Sequence, residues 1–458
     1  MLIDKYEADN IFEKIPSLTL KMSPELAAID PILEDDELFA MIRHDLAQRR
    51  PQTRTSGRHS TPVEVILRML AVRHLFAWSY EVTEQEVNDS LVLRQFCRVY
   101  FQSVPDHTTL CKWARLIQPA TLVAFNKRIM ELAIVSKLTR GRKLRMDGMV
   151  VETNIHHPTD SSLLADGVRV LGRTLSRVRQ LMGEKLNLPR RLFRNRTRSA
   201  KKAARQIAKG SRLGKAAIRA QYRHLVQVAQ ATVHQAQQVL MALQGRVQHG
   251  GQRFIDILAT FLPRVAQVID QTRRRVIDNQ SVPAVEKLVS LFEPHTDIIR
   301  RGKINKPTEF GHKVWLGEVE GGFIAHYRIL AGNPADDQQW PPTLAQHIDL
   351  FGQPPWQASA DRGVHSADNE QLADELGVKR IVLPKPGKKS SARRRHERQR
   401  WFWRGRRFHA GVEGRISVIS RKHGLDRCRD KGGKGFQRWV GWGVIANNLT
   451  MIGRTQAE

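Results

Sequence analysis

The sequence has 458 residues, with 75 Lys+Arg against 45 Asp+Glu and a formal net charge of +30. At roughly 150 residues per domain the length allows about three domains, and 41% hydrophobic residues are enough to build cores, which excludes a disordered basic tail. So large a positive excess implies a polyanionic partner, because counterion release rewards phosphate neutralisation; nucleic acid is the first reading and a membrane surface the competing one.

Met1 to Ser17 carries Asp4, Glu7, Asp9 and Glu13 and lacks the apolar stretch of an export signal. Up to about Arg140 the punctuation is helical. Thr61-Pro62-Val63-Glu64 predicts a capping box with Pro at the first helical position, opening the apolar run Val65, Ile66, Met69, Leu70 and Val72. Thr83-Glu84-Gln85-Glu86 predicts a second such cap. Ser103-Val104-Pro105-Asp106 leads into a helix carrying Leu110, Trp113, Leu116 and Ile117. These signals fit a helix-turn-helix or a plain helical bundle. Cys97, Cys111 and Cys428 are scattered, which argues against a disulfide framework and a Cys-based zinc site and fits a reducing cytosol.

Leu144 to Val151 reads as a short strand. From about 161 to 300 the spacing of Leu225, Val228, Thr232, Ala236, Val239 and Leu243 predicts long helices, arranged as a hairpin. Within this stretch lie Arg190, Arg191, Arg194, Arg196, Arg198, Lys201, Lys202, Arg205, Lys209, Arg212, Lys215, Arg219 and Arg223, without one acid. A solvated helix face usually mixes signs, so this run points to phosphate contact.

Strands return after Ile304. Val314 to Val319 and Phe323 to Leu330 flank Glu320-Gly321-Gly322, a hairpin signal. A helix is predicted over Thr343 to Leu350, a strand over Trp356 to Ala360 and a helix over Ser366 to Glu375. A buried strand over Lys379 to Pro384 follows, then a basic linker and a final helical region. Trp439 to Ile452 is apolar but short of the roughly 20 residues that span a bilayer, so it predicts a buried helix. Gly432-Gly433-Lys434-Gly435 lacks the spacing and the following Ser or Thr of a phosphate-binding loop, which rejects an NTPase. His156 and His157 beside Pro158 read as a polar loop, since adjacent side chains diverge and make a poor metal pair.

Three acids stand out by position. Asp147 lies in Arg145-Met146-Asp147-Gly148, within or at the end of the first strand, and Asp361 lies where the strand Trp356 to Ala360 gives way to a loop. Ligands of open α/β sheets bind beyond the carboxyl ends of strands. Glu413 sits in a helical frame with Val412, Ile416 and Ile419. Carboxylates without Cys or clustered His suit hard cations, Mg²⁺ above all.

The strings Arg145-Met146-Asp147-Gly148-Met149-Val150-Val151-Glu152-Thr153-Asn154-Ile155, Ala360-Asp361-Arg362-Gly363-Val364-His365-Ser366 and Gly411-Val412-Glu413-Gly414-Arg415 resemble the three signature blocks of DDE transposases of bacterial insertion sequences, and most of all those of the ISNCY-like group. Ser281 to Lys287 and Lys303 to Val314 fit the same order. The resemblance implies an α/β ribonuclease-H-like catalytic core, a mixed sheet with flanking helices, over 141–160 and 301–458. It further implies an all-helical DNA-binding domain over 1–140, with 161–300 a basic helical insertion after the first strand. It makes Asp147, Asp361 and Glu413 the catalytic, metal-holding acids, with two Mg²⁺ or Mn²⁺ ions.

The expected partner is double-stranded DNA, both terminal inverted repeats and target, bound by a homodimer in the cytoplasm at the nucleoid, with no membrane. DNA contact is assigned to Arg190, Arg191, Arg194, Arg196, Arg198, Lys201, Lys202, Arg205, Lys388, Lys389, Arg393, Arg394, Arg395, Arg406, Arg407, Arg421 and Lys422. Trp401 and Trp403 fit base stacking or packing equally. The chain departs from related groups in carrying Arg406, His409 and Ser420 where a Tyr, an Arg and a Lys accompany the Glu. Glu397, Asp426 and Asp430 are rival third acids. The alternatives are a metal-dependent nuclease of the same core without strand transfer and an inactive, transposase-derived DNA-binding protein.

Overall fold

The structure, a computed structural model, describes residues 1–7, 22–50, 52, 59–210, 214–246, 251–300 and 307–457. Asp9, Glu13, Ser17, Arg212, Lys303 and Ile304 therefore lie outside the described residues. The chain divides into two compact units, residues 1–154 with 311–458 and residues 155–310.

The larger unit begins with helices α1 (Pro24–Ile29), α2 (Asp36–Ala47), α3 (Val63–Leu75), α4 (Tyr80–Asp89), α5 (Leu91–Phe96), α6 (His107–Ala114) and α7 (Pro119–Val135), followed by strand β1 (Lys143–Glu152). The predicted Thr61 cap does not form: Pro62 takes the cap position and no side chain caps α3. The first amides of the helix are satisfied by backbone instead, Val63 N donating to Ile3 O at 3.1 Å and Glu64 N to Asp4 O at 3.2 Å. Glu64 is drawn to fully buried Arg68, whose Nε donates to it at 3.2 Å while its Nη1 donates to Asp30 at 2.5 Å. Thr83 likewise lies inside α4, which starts earlier because Ser79 Oγ accepts from Val82 N at 3.1 Å. Asp106 caps α6, accepting from the amides of Thr108 and Thr109, as its place before that helix predicts.

The smaller unit holds the helices α8 (Asp160–Leu186), α9 (Thr197–Ala208), α10 (Lys215–Arg246) and α11 (Gln252–Thr272), with strand β2 (Asp297–Arg300) near its end. Leu164, Leu171, Leu175, Leu225, Ala229, Val239, Leu258 and Val265 form its buried core, so the helical spacing read from the sequence is the spacing of that core.

The chain then forms β3 (Thr308–Val319), β4 (Phe323–Ile329), α12 (Trp340–Phe351), β5 (Gln357–Ser359), α13 (Ala367–Glu375), β6 (Arg380–Val382), α14 (Ser391–Arg398), α15 (Arg400–Lys422) and α16 (Gly433–Ala457). The expected linker before the last helical region is thus itself helix α14, opened by Ser390 Oγ, which accepts from Arg393 N at 3.2 Å.

Within the larger unit the strands lie in the order β4, β3, β1, β5, β6, the first three antiparallel and the last three parallel. The order is that of a mixed α/β sheet. Leu144 and Met146 of β1 share a core with the N-terminal helices, whereas Met149 and Val151 face a second core with Ile419, Phe436 and Trp439. Asp147 belongs by alternation to the second face.

Helix α16 packs on α1, α3, α7 and β4 and is buried along most of its length, yet no helix among the described residues is long and apolar enough to cross a membrane. Fully buried Asn448 completes the outer edge of β4: its Oδ1 accepts from Ile324 N at 2.8 Å, and its Nδ2 donates to Ile324 O at 2.9 Å and to Asn126 Oδ1 at 2.9 Å. One amide side chain thereby does for the strand what a neighbouring strand would. Asn448→Ala takes the named partner from Ile324 N and Asn126 Oδ1, while Ile324 O keeps a donor in Asn126 Nδ2 at 3.2 Å, so a urea titration followed by tryptophan fluorescence is expected to show a loss of about 2–4 kcal/mol. A loss below about 0.5 kcal/mol, within the range of ordinary surface substitutions, contradicts this account.

Candidate active site

Strands β1 and β5 run parallel, with Leu144 beside Ala358 and Arg145 beside Ser359. Continued by two residues, that register brings Asp147 level with Asp361, just past the end of β5. Asp147 is half-buried, and its Oδ1 accepts from Gly148 N at 2.7 Å. Asp361 stands where the strand releases the chain into the turn Arg362–Val364, and its side chain is 73% exposed.

Helix α15 crosses β1, β5 and β6. Its close approach depends on small residues: a Cβ at Gly405 would run into Val382 of β6, and one at Gly411 into the guanidinium of Arg145. The helix sets His409 Nε2 at 3.4 Å from Asp361 Oδ1. The hydrogen bond from His409, together with its charge and that of Arg362, holds the Asp361 carboxyl below the usual carboxylate range against the opposing effect of burial. Glu413 follows His409 by four residues, hence on the same side of the helix, and is exposed.

Two of the three rival acids, Glu397 and Asp430, are paired with cations elsewhere. Glu397 is partly desolvated, which opposes its charge, but hydrogen bonds from Lys389, Arg393 and Lys385 N outweigh that and lower its carboxyl to about 2. Asp430 accepts from Arg73 at 3.1 Å, and Asp426 from Arg427 N at 2.7 Å. Oxygen donors of the kind found at Asp147, Asp361 and Glu413 suit a hard divalent cation. Among the described residues, however, no three His, Cys, Asp or Glu side chains are gathered closely enough to hold an ion. The strand register, continued past β5, brings the two aspartates level, and the glutamate is not drawn in to complete a ligand set.

The residues expected to contact DNA fall into different settings. Arg190, Arg191 and Arg194 are exposed in and after a short helical turn, whereas Arg196 is half-buried and bonded to Gln235. Arg198, Lys201, Lys202, Arg205 and Lys209 line one open cleft along α9 with Gln206, and Ala200 and Ala203 are buried on its other side. On α14, Arg394, Arg395 and Arg398 line a second cationic cleft with Ser391. Lys389 and Arg393 turn inward, to Glu397 and, for Arg393, also to Glu370. Lys388, Arg406, Arg407, Arg421 and Lys422 are exposed. Trp401 packs edge-on against His396 and Phe402, while Trp403 is 52% exposed with the Arg407 guanidinium 4.9 Å above its ring.

One charged residue at the site has no counterpart among the sequence expectations. Glu318, in the apolar strand β3, is fully buried and paired with Arg145 and Arg415. A lone acid inside Val314 to Val319 is its one sequence signal.

Residues 17–116 match a family model described as "Transposase domain (DUF772)". No curated protein and no solved structure matches the chain. The matched segment, ending within the turn after α6, supports a transposase.

Proposed function

We propose that the chain is a DNA transposase with a ribonuclease-H-like catalytic core, which binds the ends of its element as a homodimer, hydrolyses a strand at each end and joins the freed 3′-hydroxyl to target DNA. In this reading Asp147, Asp361 and Glu413 are the catalytic acids. The observation that carries it is the parallel register of β1 and β5, which, continued by two residues, brings Asp147 within β1 level with Asp361 just past the end of β5, under the helix that bears the glutamate. Asp361 thus lies beyond the carboxyl end of its strand, where open α/β sheets bind ligands. The transposase match over residues 17–116 is independent support from another part of the chain.

The proposed cofactor is Mg²⁺ or Mn²⁺, two ions per site, which when bound would supply Lewis-acid activation of water and of the scissile phosphate. Asp147 and Asp361 are the residues that would hold it, and Glu413, exposed on the helix above them, is the proposed third ligand that metal binding would have to draw in. The protein's own contribution is positional. Strand pairing brings the two aspartates level, and His409, 3.4 Å from Asp361 Oδ1, favours its ionised form. The exposed cations on α9 and α14 would bear on the DNA backbone, where they neutralise phosphates without reading sequence.

Strand transfer is tested with labelled DNA from either flank of the chain's own gene, in Mg²⁺. Asp361→Asn is expected to lose cleavage and joining by about a hundredfold or more, as expected for an interaction made at the reacting centre, with DNA affinity retained. Full activity of this variant rules out the acid assignment, and cleavage without joining identifies a nuclease.

The cationic helix gives a separate outcome. Replacing Arg198, Lys201, Lys202 and Arg205 by Ala is expected to shallow the dependence of log affinity on log salt by about 0.9 for each phosphate that is no longer neutralised. An unchanged slope in a fluorescence anisotropy titration makes α9 an ordinary solvated face.

A further inference from the structure

We propose that Glu318 is a positioning residue: its buried carboxylate, clasped between Arg145 and Arg415, sets where the helix bearing Glu413 lies on the strand bearing Asp147. The inference rests on the reading of Asp147, Asp361 and Glu413 as the cleavage acids.

The clasp links both acid-bearing elements within a few residues of each acid. Arg145 lies opposite Glu318 in the antiparallel pair of β1 and β3, two residues before Asp147 and on the same face of the strand. Its Nε donates to Glu318 Oε2 at 2.7 Å and its Nη2 to Oε1 at 2.5 Å, a bidentate fork. The remaining nitrogen, Nη1, donates to Phe408 O on α15 at 2.6 Å, and the guanidinium lies 4.8 Å from the centre of the Phe408 ring. Phe408 immediately precedes His409, the residue in contact with Asp361.

From the far side Arg415, two residues beyond Glu413, donates from Nε to the same Oε1 at 3.3 Å. Its Nη1 donates to Asn447 Oδ1 at 3.3 Å, and Asn447 Nδ2 donates to Gly322 O in the β3–β4 turn at 3.2 Å.

Two glycines leave room for this arrangement. A Cβ at Gly322, which sits at φ +81°, would collide with Arg415, and one at Gly411 would collide with Arg145. Glu318 itself has no exposed surface, and the two arginine side chains are 13% and 16% exposed. A carboxylate so buried is tolerable only while its oxygens are answered by donors. Hydrogen bonds weaken steeply with angle and distance, and an α-helix advances about 1.5 Å per residue. A slip of α15 by a single residue would therefore break the bonds at Phe408, at Glu318 and at Asn447 together. Apolar packing alone would hold the helix down but would let it slide. The clasp removes that freedom, in the way that outer-shell hydrogen bonds orient carboxylate ligands.

The experiment uses the full chain with Glu318→Gln, which keeps the shape and removes the charge, beside Asp361→Asn. Mn²⁺ binding is followed by electron paramagnetic resonance, and cleavage is followed on the flanking-DNA probe. With DNA affinity unchanged and the fold intact by circular dichroism, Glu318→Gln is expected to weaken Mn²⁺ binding by about tenfold or more and to slow cleavage at saturating DNA by about ten- to a hundredfold.

If Asp361→Asn binds Mn²⁺ and cuts like the wild type, the acid assignment itself fails, whatever Glu318 does. If Asp361→Asn is impaired while Glu318→Gln keeps wild-type Mn²⁺ affinity and rate, or loses only thermal stability, the clasp is overturned. Should Glu318→Gln fail to fold, Arg415→Lys decides: it retains a cation without the fork, and wild-type Mn²⁺ binding and cleavage in that variant overturn the proposal.

Discussion

The constraint on which the larger unit turns is a fully buried carboxylate beneath a helix. Glu318 lies in a strand whose neighbours Leu316 and Val319 are core residues, and nothing but protein surrounds it. Breaking a buried pair by removing one partner costs roughly 3–5 kcal/mol, because the remaining charge is left uncompensated. The surrounding structure is therefore obliged to bring donors to one place. β1 supplies Arg145, α15 supplies Arg415, and α16 steadies Arg415 through Asn447. The β3–β4 turn must then carry glycine at 322 so that the second guanidinium fits. A hydrophobic residue at 318 would satisfy the core as well or better, but it would impose no direction on the helix above it.

Much of this architecture is legible in the residues. β3 and β4 announce themselves by apolar runs around Glu320-Gly321-Gly322, and both glycines adopt the positive φ that a tight hairpin demands. Asp106 and Ser366 cap the helices they precede, since a side-chain oxygen next to free amides is a local event. Thr61 fails for the opposite reason: distant carbonyls at Ile3 and Asp4 reach the same amides first, and no local pattern records that. Helix α14 is silent in the hydrophobic pattern because Ser391-Ala392-Arg393-Arg394-Arg395-His396-Glu397-Arg398 has no apolar stripe. It is held through Arg393, whose partners Glu370 and Glu397 include one far off in sequence.

The candidate site is legible to a similar depth. Asp361 is marked by its place just after a strand, and the helical frame of Val412, Ile416 and Ile419 marks the element that carries Glu413; Asp147 lies inside β1, which pairing with β3 carries on to Glu152. The contact of His409 with Asp361 and the burial of Glu318 depend on where α15 settles across the sheet, a long-range outcome with no periodic signature. Glu397 shows the limit most clearly. By sequence it is one more acid near the third block, and only its three donors from Lys385, Lys389 and Arg393 show it to be an internal counter-charge.

The same sorting changes what the +30 charge means. Lys389, just before α14, and Arg393 within it are answered inside the protein, while Arg394, Arg395 and Arg398 are left facing an open cleft. On α9 the cations stay together. Arg198, Lys201, Lys202, Arg205 and Lys209 repeat at three- and four-residue spacing along one cleft, so the charged neighbours on that face are all of one sign. Such pairs destabilise a helix by about 0.2–0.5 kcal/mol each. The helix persists because Ala200 and Ala203 anchor its other side in the core of the smaller unit. A polyanion laid along the face would relieve that repulsion while releasing its own counterions, so the strain borne by the free helix becomes part of the driving force for binding.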